Sequence, residues 1–206
     1  MANMRINRRN FVGQSVALSA SILSYKSILG ANERIGIGMI GCGARAQGSL
    51  LKDILQFRED TNVEVVAICD TWNQMREKGR QQVKQATGKE PKGFVRYQDL
   101  LAASEVDAVV IATPEHQHCT QLIDAVEAGK DAYVEKPLGM TIAEVNEAFD
   151  AVKKHNRVVQ NGTQIRSLPQ SRAAQQFIAS GGLGRILKAA QSRNGTTPYW
   201  YGYAER

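Results

Sequence analysis

Two short segments carry residue types that could do chemistry, and they differ in kind. Gly41-Cys42-Gly43-Ala44-Arg45-Ala46 has the pattern G-x-G-x-x-A. Its contribution is backbone. The first glycine permits a tight turn, the second lets main chain approach a pyrophosphate, and a small third residue lets a helix pack close to a strand. A helix starting there presents unpaired N–H groups and a positive dipole end to phosphates. The other segment, Glu135-Lys136-Pro137, offers a carboxylate and an amine. Beside a cationic nicotinamide an ammonium is disfavoured, so a lysine there releases its proton readily enough for acid–base work. Taken alone, Lys136 also reads as an exposed loop lysine.

Further residues fall into place around these two. Asp70 stands 24 positions after Ala46 at the end of an apolar run. A carboxylate there accepts hydrogen bonds from ribose hydroxyls and repels a 2′-phosphate, which favours NAD over NADP. Arg76, about a helical turn beyond, could serve a phosphate instead. Thr113-Pro114-Glu115-His116-Gln117-His118 follows another apolar run. Two histidines without a third ligand nearby make a weak metal site. Thr113, Pro114, His116 and His118 are therefore assigned to the cofactor edge or the helix start, and no metal is expected. His155 reads as a cation near a helix C-terminus. Cys42, Cys69 and Cys119 share no metal-type spacing and read as small apolar core residues.

The elements that must position these groups alternate strand and helix from residue 34 onward. Ile35–Ile40 is a short apolar run ending at glycine, as a buried parallel strand should be. Leu50, Leu51, Ile54, Leu55 and Phe57 recur at helical spacing. Val63–Cys69 is a strand, residues 73–86 a polar helix, Phe94–Tyr97 a weaker strand and Asp107–Ala112 a strong one. Thr113 is a plausible N-cap with Pro114 in the first turn; Leu122, Ile123 and Val126 face inward, and Gly129 ends that helix. Ala132–Glu135 is another strand. Thr141 and Glu144 form a capping box for a helix lined by Ile142, Val145, Phe149 and Val152. Val158-Val159 adds one more short strand. This order predicts an α/β fold, a doubly wound parallel Rossmann sheet.

Pro169 to Ser180 then reads as a helix ending at Gly181-Gly182, and Arg185 to Ser192 as a strand before Tyr199-Trp200-Tyr201. One helix and one strand cannot bury a core. The expected organisation is a signal segment over 1–31, a dinucleotide-binding domain over 32–157, and over 158–206 the unfinished start of an α+β substrate domain.

Hydrophobic residues make up 43% of the 206 and charged residues 22%, a globular balance. The net charge of +6 raises nucleic acid as a partner, but Arg5, Arg8, Arg9 and Lys26 lie in an acid-free leader. Elsewhere the two signs interleave, which excludes a one-signed phosphate-binding stripe. Arg8-Arg9-Asn10-Phe11, a modest apolar stretch and Gly30-Ala31 resemble a twin-arginine export signal, too short for a stable membrane span. NAD is acquired in the cytoplasm, so folding before export to the periplasm suits such a protein.

The glycine pattern, Asp70, Ala112-Thr113-Pro114-Glu115-His116 and Gly129-Lys130-Asp131-Ala132-Tyr133-Val134-Glu135-Lys136-Pro137-Leu138 together resemble the glucose–fructose oxidoreductase and inositol dehydrogenase family, written Gfo/Idh/MocA. The likeness runs from Arg34 to Arg193. It implies that Lys136 lies beside substrate and nicotinamide and assists proton transfer, and that Glu135 lies near the nicotinamide ribose. It likewise implies that Gln164 and Arg166 border the substrate, a sugar, cyclitol or related polyol. Many members carry twin-arginine signals, and a homo-oligomer is expected at full length. The family's second domain supplies an Asp and a His, yet no His follows His155. Dehydrogenase activity is thus expected of a parent protein, with a non-catalytic dinucleotide-binding module as the alternative for this chain. The other alternative is an NAD-dependent glycoside hydrolase working through transient oxidation. That branch as a rule lacks the lysine, so Lys136 tells against it.

Overall fold

The computed structural model describes residues 34–191, so the expected export segment and the aromatic tail lie outside the described residues. The chain divides into two compact units, Met1–Gly162 and Thr163–Arg206.

The first unit is a six-stranded sheet whose registered neighbours all run parallel. Its strands are β1 (Ile35–Ile40), β2 (Val63–Cys69), β3 (Lys92–Phe94), β4 (Ala108–Ile111), β5 (Asp131–Glu135) and β6 (Val159–Gly162). Their order across the sheet is β3-β2-β1-β4-β5-β6. The direction of winding therefore reverses between β1 and β4, and a crevice opens there beyond the strand C-termini, where open α/β sheets bind ligands.

Helices α1 (Leu51–Thr61, entered through a wide π-type turn Ala46–Leu50) and α2 (Asn73–Thr87) cover one face of the sheet. Met39, Leu51, Ile68 and Val83 form its buried core. Helices α3 (Tyr97–Leu101), α4 (His118–Glu127) and α5 (Ile142–His155) cover the other face, around Ile40, Leu100, Ile111, Leu122, Val126 and Ala148. Side chains alternate across a strand, so Met39 and Ile40 serve opposite layers. All three cysteines are buried free thiols. Burial pushes each of them up, Cys69 to about 12.

Several local expectations are corrected. Phe94–Tyr97 is not one strand: β3 ends at Phe94, and Tyr97 opens α3. The Tyr97 hydroxyl donates to Asp124 Oδ2 on α4 at 2.6 Å, a tertiary bond that no local pattern carries. The inner face of α5 is Val145, Ala148 and Val152, while Ile142 and Phe149 are exposed. The ammonium of Lys153 sits 4.6 Å from the Phe149 ring centroid. Thr141 does cap α5, its hydroxyl accepting from the Glu144 N–H at 3.3 Å. The return bond goes one residue further out, from the Met140 N–H to Glu144 Oε2 at 3.0 Å. Phe57 of the expected apolar stripe on α1 is also half exposed.

In the second unit a short 3₁₀ turn, Gln164–Ser167, leads into α6 (Pro169–Ala179). Gly181 takes φ 82° just beyond it. The strand expected from Arg185 is absent among the described residues, which are irregular from 186 to 191. Its β-branched and apolar residues lack a neighbouring strand there to take up the backbone hydrogen bonds that define a strand. Among the described residues no helix is long and apolar enough to cross a membrane.

Candidate active site

The glycine-rich turn leaves β1 as its pattern requires. Gly41 has φ 87°, and a Cβ there would sit 2.8 Å from the Ala112 carbonyl oxygen. An L side chain would thus meet both an unfavourable backbone conformation and a collision with the end of β4. The Gly41 N–H donates to the Cys69 carbonyl, tying the β1 and β2 ends together at 2.9 Å. Cys42 is buried, whereas Ala44 and Arg45 are exposed. The helical turn that follows has no side-chain cap and no acidic residue in its first turn. A helix start with free amides and no carboxylate of its own suits an anionic ligand.

Asp70 stands just beyond β2. Its Oδ2 accepts the Cys42 N–H at 2.7 Å and its Oδ1 the Trp72 N–H at 2.8 Å. The carboxylate expected to meet a ribose therefore also shapes the glycine turn. Arg76 lies close by, its Nη1 donating to the Asp70 carbonyl at 2.8 Å and its Nη2 to Asn73 Oδ1 at 2.6 Å. The uncapped helix start, the close-packed glycine and the neighbouring carboxylate fit a dinucleotide. They do not separate NAD from NADP, because Arg76 lies beside Asp70.

The ends of β4 and β5 form the opposite rim. Thr113 is not the helix N-cap expected of it; its hydroxyl donates to Gln121 Oε1 at 2.7 Å. Pro114 precedes a 3₁₀ turn, Glu115–Gln117, which intervenes before α4 and occupies the place of a direct cap. The two histidines part company. His116 is exposed on that turn, and His118 is 1% exposed. The ring of His118 spans the Pro137 carbonyl (Nδ1, 2.7 Å) and the Thr113 carbonyl (Nε2, 2.8 Å), joining the two strand-end segments. Among the described residues no three His, Cys, Asp or Glu side chains gather into a metal site.

At the end of β5, Glu135 is 5% exposed and Lys136 is exposed. Lys136-Pro137 is a cis peptide. Glu135 Oε1 accepts two N–H groups of Arg45, from Nε at 2.8 Å and Nη2 at 2.6 Å. A buried carboxylate needs such compensation. Lys136 is therefore exposed next to a buried carboxylate, and its backbone N–H donates to Glu135 Oε2 at 3.2 Å. Gln164 and Arg166 lie in the first turn of the second unit, both exposed.

The sequence pattern overlooked Gln121, Gln47 and the pairing of Arg45 with Glu135. Gln121 is buried, taking the Thr113 hydroxyl and donating to Gln117 Oε1 at 2.7 Å. Gln47 donates to the Cys42 carbonyl at 2.5 Å, bracing the glycine turn from inside its own helix. A polar residue on the apolar stripe Leu122, Ala125, Val126 was the one available signal for Gln121.

Known proteins of similar sequence include the alpha-N-acetylgalactosaminidase of Shewanella oneidensis, 27% identical over 175 residues, which cover 72% of this chain and 37% of that protein. Among solved structures, the myo-inositol 2-dehydrogenase from Lactobacillus plantarum is 25% identical with a TM-score of 0.62, the match covering 75% of this chain and 43% of that one. A 3-ketoreductase from Actinomadura kijaniata, solved with NADP, is 25% identical with a TM-score of 0.63, covering 75% and 46%. The chain spans less than half the length of these relatives. Residues 35–163 match the oxidoreductase family with an NAD-binding Rossmann fold, and the chain belongs to that family, Gfo/Idh/MocA.

Proposed function

We propose that the whole protein is an NAD-dependent oxidoreductase that passes hydride between a sugar, cyclitol or related polyol and the nicotinamide. The observation that carries this reading is an exposed Lys136 directly after a buried Glu135, at the C-terminal end of the strand beside β4. Nicotinamide supplies the hydride acceptor. Lys136 Nζ takes the substrate hydroxyl proton as the carbinol C–H leaves with its electron pair, so the alcohol becomes a ketone and the charges balance. The turn Gly41–Ala46 receives the pyrophosphate, chiefly on the amides from Gly43 onward, and Asp70 the adenine ribose. Thr113, Pro114, His116 and His118 border the cofactor, and Gln164 and Arg166 the substrate. Asp70 makes NAD the preferred dinucleotide. Residues 1–31 direct the folded protein to the twin-arginine machinery and the periplasm, and the full-length protein assembles as a homo-oligomer.

A second reading is favoured by the Shewanella oneidensis relative, whose name is that of a glycosidase. In that reading oxidation is transient and the net reaction is hydrolysis. One pair of assays on the full-length enzyme separates them. Net NADH absorbance with free polyols supports the dehydrogenase. Release of aryl alcohol from an aryl N-acetyl-α-galactosaminide without net NADH supports the hydrolase and overturns the first reading.

A further inference from the structure

An ion pair across the crevice, between Arg45 and Glu135, joins the two segments singled out by their chemistry. Arg45 occupies a variable slot of the glycine-rich turn, and Glu135 immediately precedes Lys136, 90 positions later. The guanidinium is engaged on all three nitrogens. Nε and Nη2 grip Glu135 Oε1, and Nη1 donates to Ser49 Oγ at 2.9 Å. Ser49 in turn donates to the Arg45 carbonyl at 3.1 Å, so the arginine is braced by its own helix.

Glu135 divides its two oxygens between neighbours. While Oε1 faces Arg45, Oε2 accepts the backbone N–H of Lys136 at 3.2 Å. The orientation of the carboxylate therefore bears directly on the main chain that carries the amine. The side chain of Glu135 is 6% exposed and that of Arg45 is 47% exposed. The acid cannot turn to water for an alternative partner, whereas the base can. Removing Arg45 would take the two-nitrogen grip away from a buried carboxylate, a loss that movement of the carboxylate or uptake of a proton would relieve. On the far side of Lys136, His118 holds the Pro137 carbonyl at 2.7 Å. Motion passed from Glu135 is thus confined to the short stretch that includes Lys136.

We infer that Arg45 is a positioning residue that couples the dinucleotide-binding turn to Lys136 through Glu135. A cofactor seated on the turn then also sets the placement of the amine that moves the proton. This inference rests on the proposed role of Lys136, but the coupling can be read without turnover.

The test is amide hydrogen exchange on the full chain, with and without NAD, in the unmutated protein and in Arg45→Gln, Glu135→Gln and the double variant. Without NAD, each single substitution is expected to speed exchange over residues 134–138 by about tenfold, with the double variant no faster than either. Unaltered exchange in β1 and β4 serves as the internal measure of an intact fold. Arg45→Lys, which keeps the charge and loses the two-nitrogen grip, should restore protection only in part. NAD should slow exchange over 134–138 in the unmutated protein and fail to do so in Arg45→Gln. Unchanged exchange in Arg45→Gln, additive effects of the two substitutions, or equal protection by NAD in Arg45→Gln would each overturn the coupling. If NAD protects no part of the unmutated protein, the cofactor reading fails, and the comparison without NAD decides the coupling by itself.

Discussion

The two rims of the crevice are built by opposite means. The rim at β1 and β2 is shaped by backbone: Gly41 at φ 87° packs against Ala112, and Asp70 ties down the Cys42 amide. The rim at β4 and β5 is shaped by side chains reaching across elements: His118 to Thr113 and Pro137, Gln121 to Thr113, Arg45 to Glu135. The difference follows from the tasks proposed for them. A pyrophosphate is recognised by main-chain amides, and any side chain in the way costs affinity. A proton carrier must instead be held at a defined place, which requires neighbouring side chains to fix it.

The comparison can be broken most decisively at Lys136. Lys136→Ala in the full-length enzyme is expected to lower turnover by ~10²–10⁴ while leaving NAD affinity nearly unchanged. Steady-state kinetics set against a binding titration would show it, and undiminished turnover would remove the chemical role from that rim. On the backbone-built rim the order should invert. Asp70→Ala should weaken NAD binding by about tenfold, on the scale of a lost charge-assisted hydrogen bond, and relax discrimination against NADP. An unmutated protein that prefers NADP would overturn the cofactor assignment.

Gly41→Ala sharpens the same contrast through stability. Forcing an L residue into that conformation costs about 1–2 kcal/mol, and contact with Ala112 adds to it, as denaturant unfolding would measure. A neutral outcome would mean that the turn is not set by its glycine.

The smallest effect lies away from both rims, at Tyr97. Burial and the hydrogen bond to Asp124 push its phenol up to about 12 from the ordinary 10.0. Because the folded state favours the neutral phenol, its contribution is complete below pH 10 and is lost as pH rises through 12. Melting temperature should therefore fall less steeply over that range in Tyr97→Phe than in the unmutated protein. Equal slopes would show that Asp124 does not hold the phenol.

Much of the fold was legible because it is local. Four strands, β1, β2, β4 and β5, lie on short, largely apolar runs, unlike β3 and β6, and G-x-G-x-x-A after the first of them already marks where β1 ends. Asp70 and Lys136 could be placed at strand ends for the same reason. What could not be read were relations between residues far apart in sequence. Nothing near Arg45 signals Glu135, and Thr113 looks like a cap until Gln121 is known to lie beside it. Ile142 and Phe149 share the spacing of a buried stripe and still face outward, because the stripe width is set by what packs against it, not by the helix. Among the described residues, those from Arg185 have strand character without a strand to pair with.

By itself, then, the sequence determined the alternation of elements, the glycine turn and the strand-end positions of Asp70, Glu135 and Lys136, since periodicity and turn chemistry act over a few residues. Only the tertiary structure decided that Arg45 neutralises Glu135, that His118 joins two segments and that Asp70, expected to meet a ribose, also ties down the glycine turn. Hydrogen bonds and ion pairs of that kind depend on distances set when segments 19 to 90 residues apart come to lie side by side.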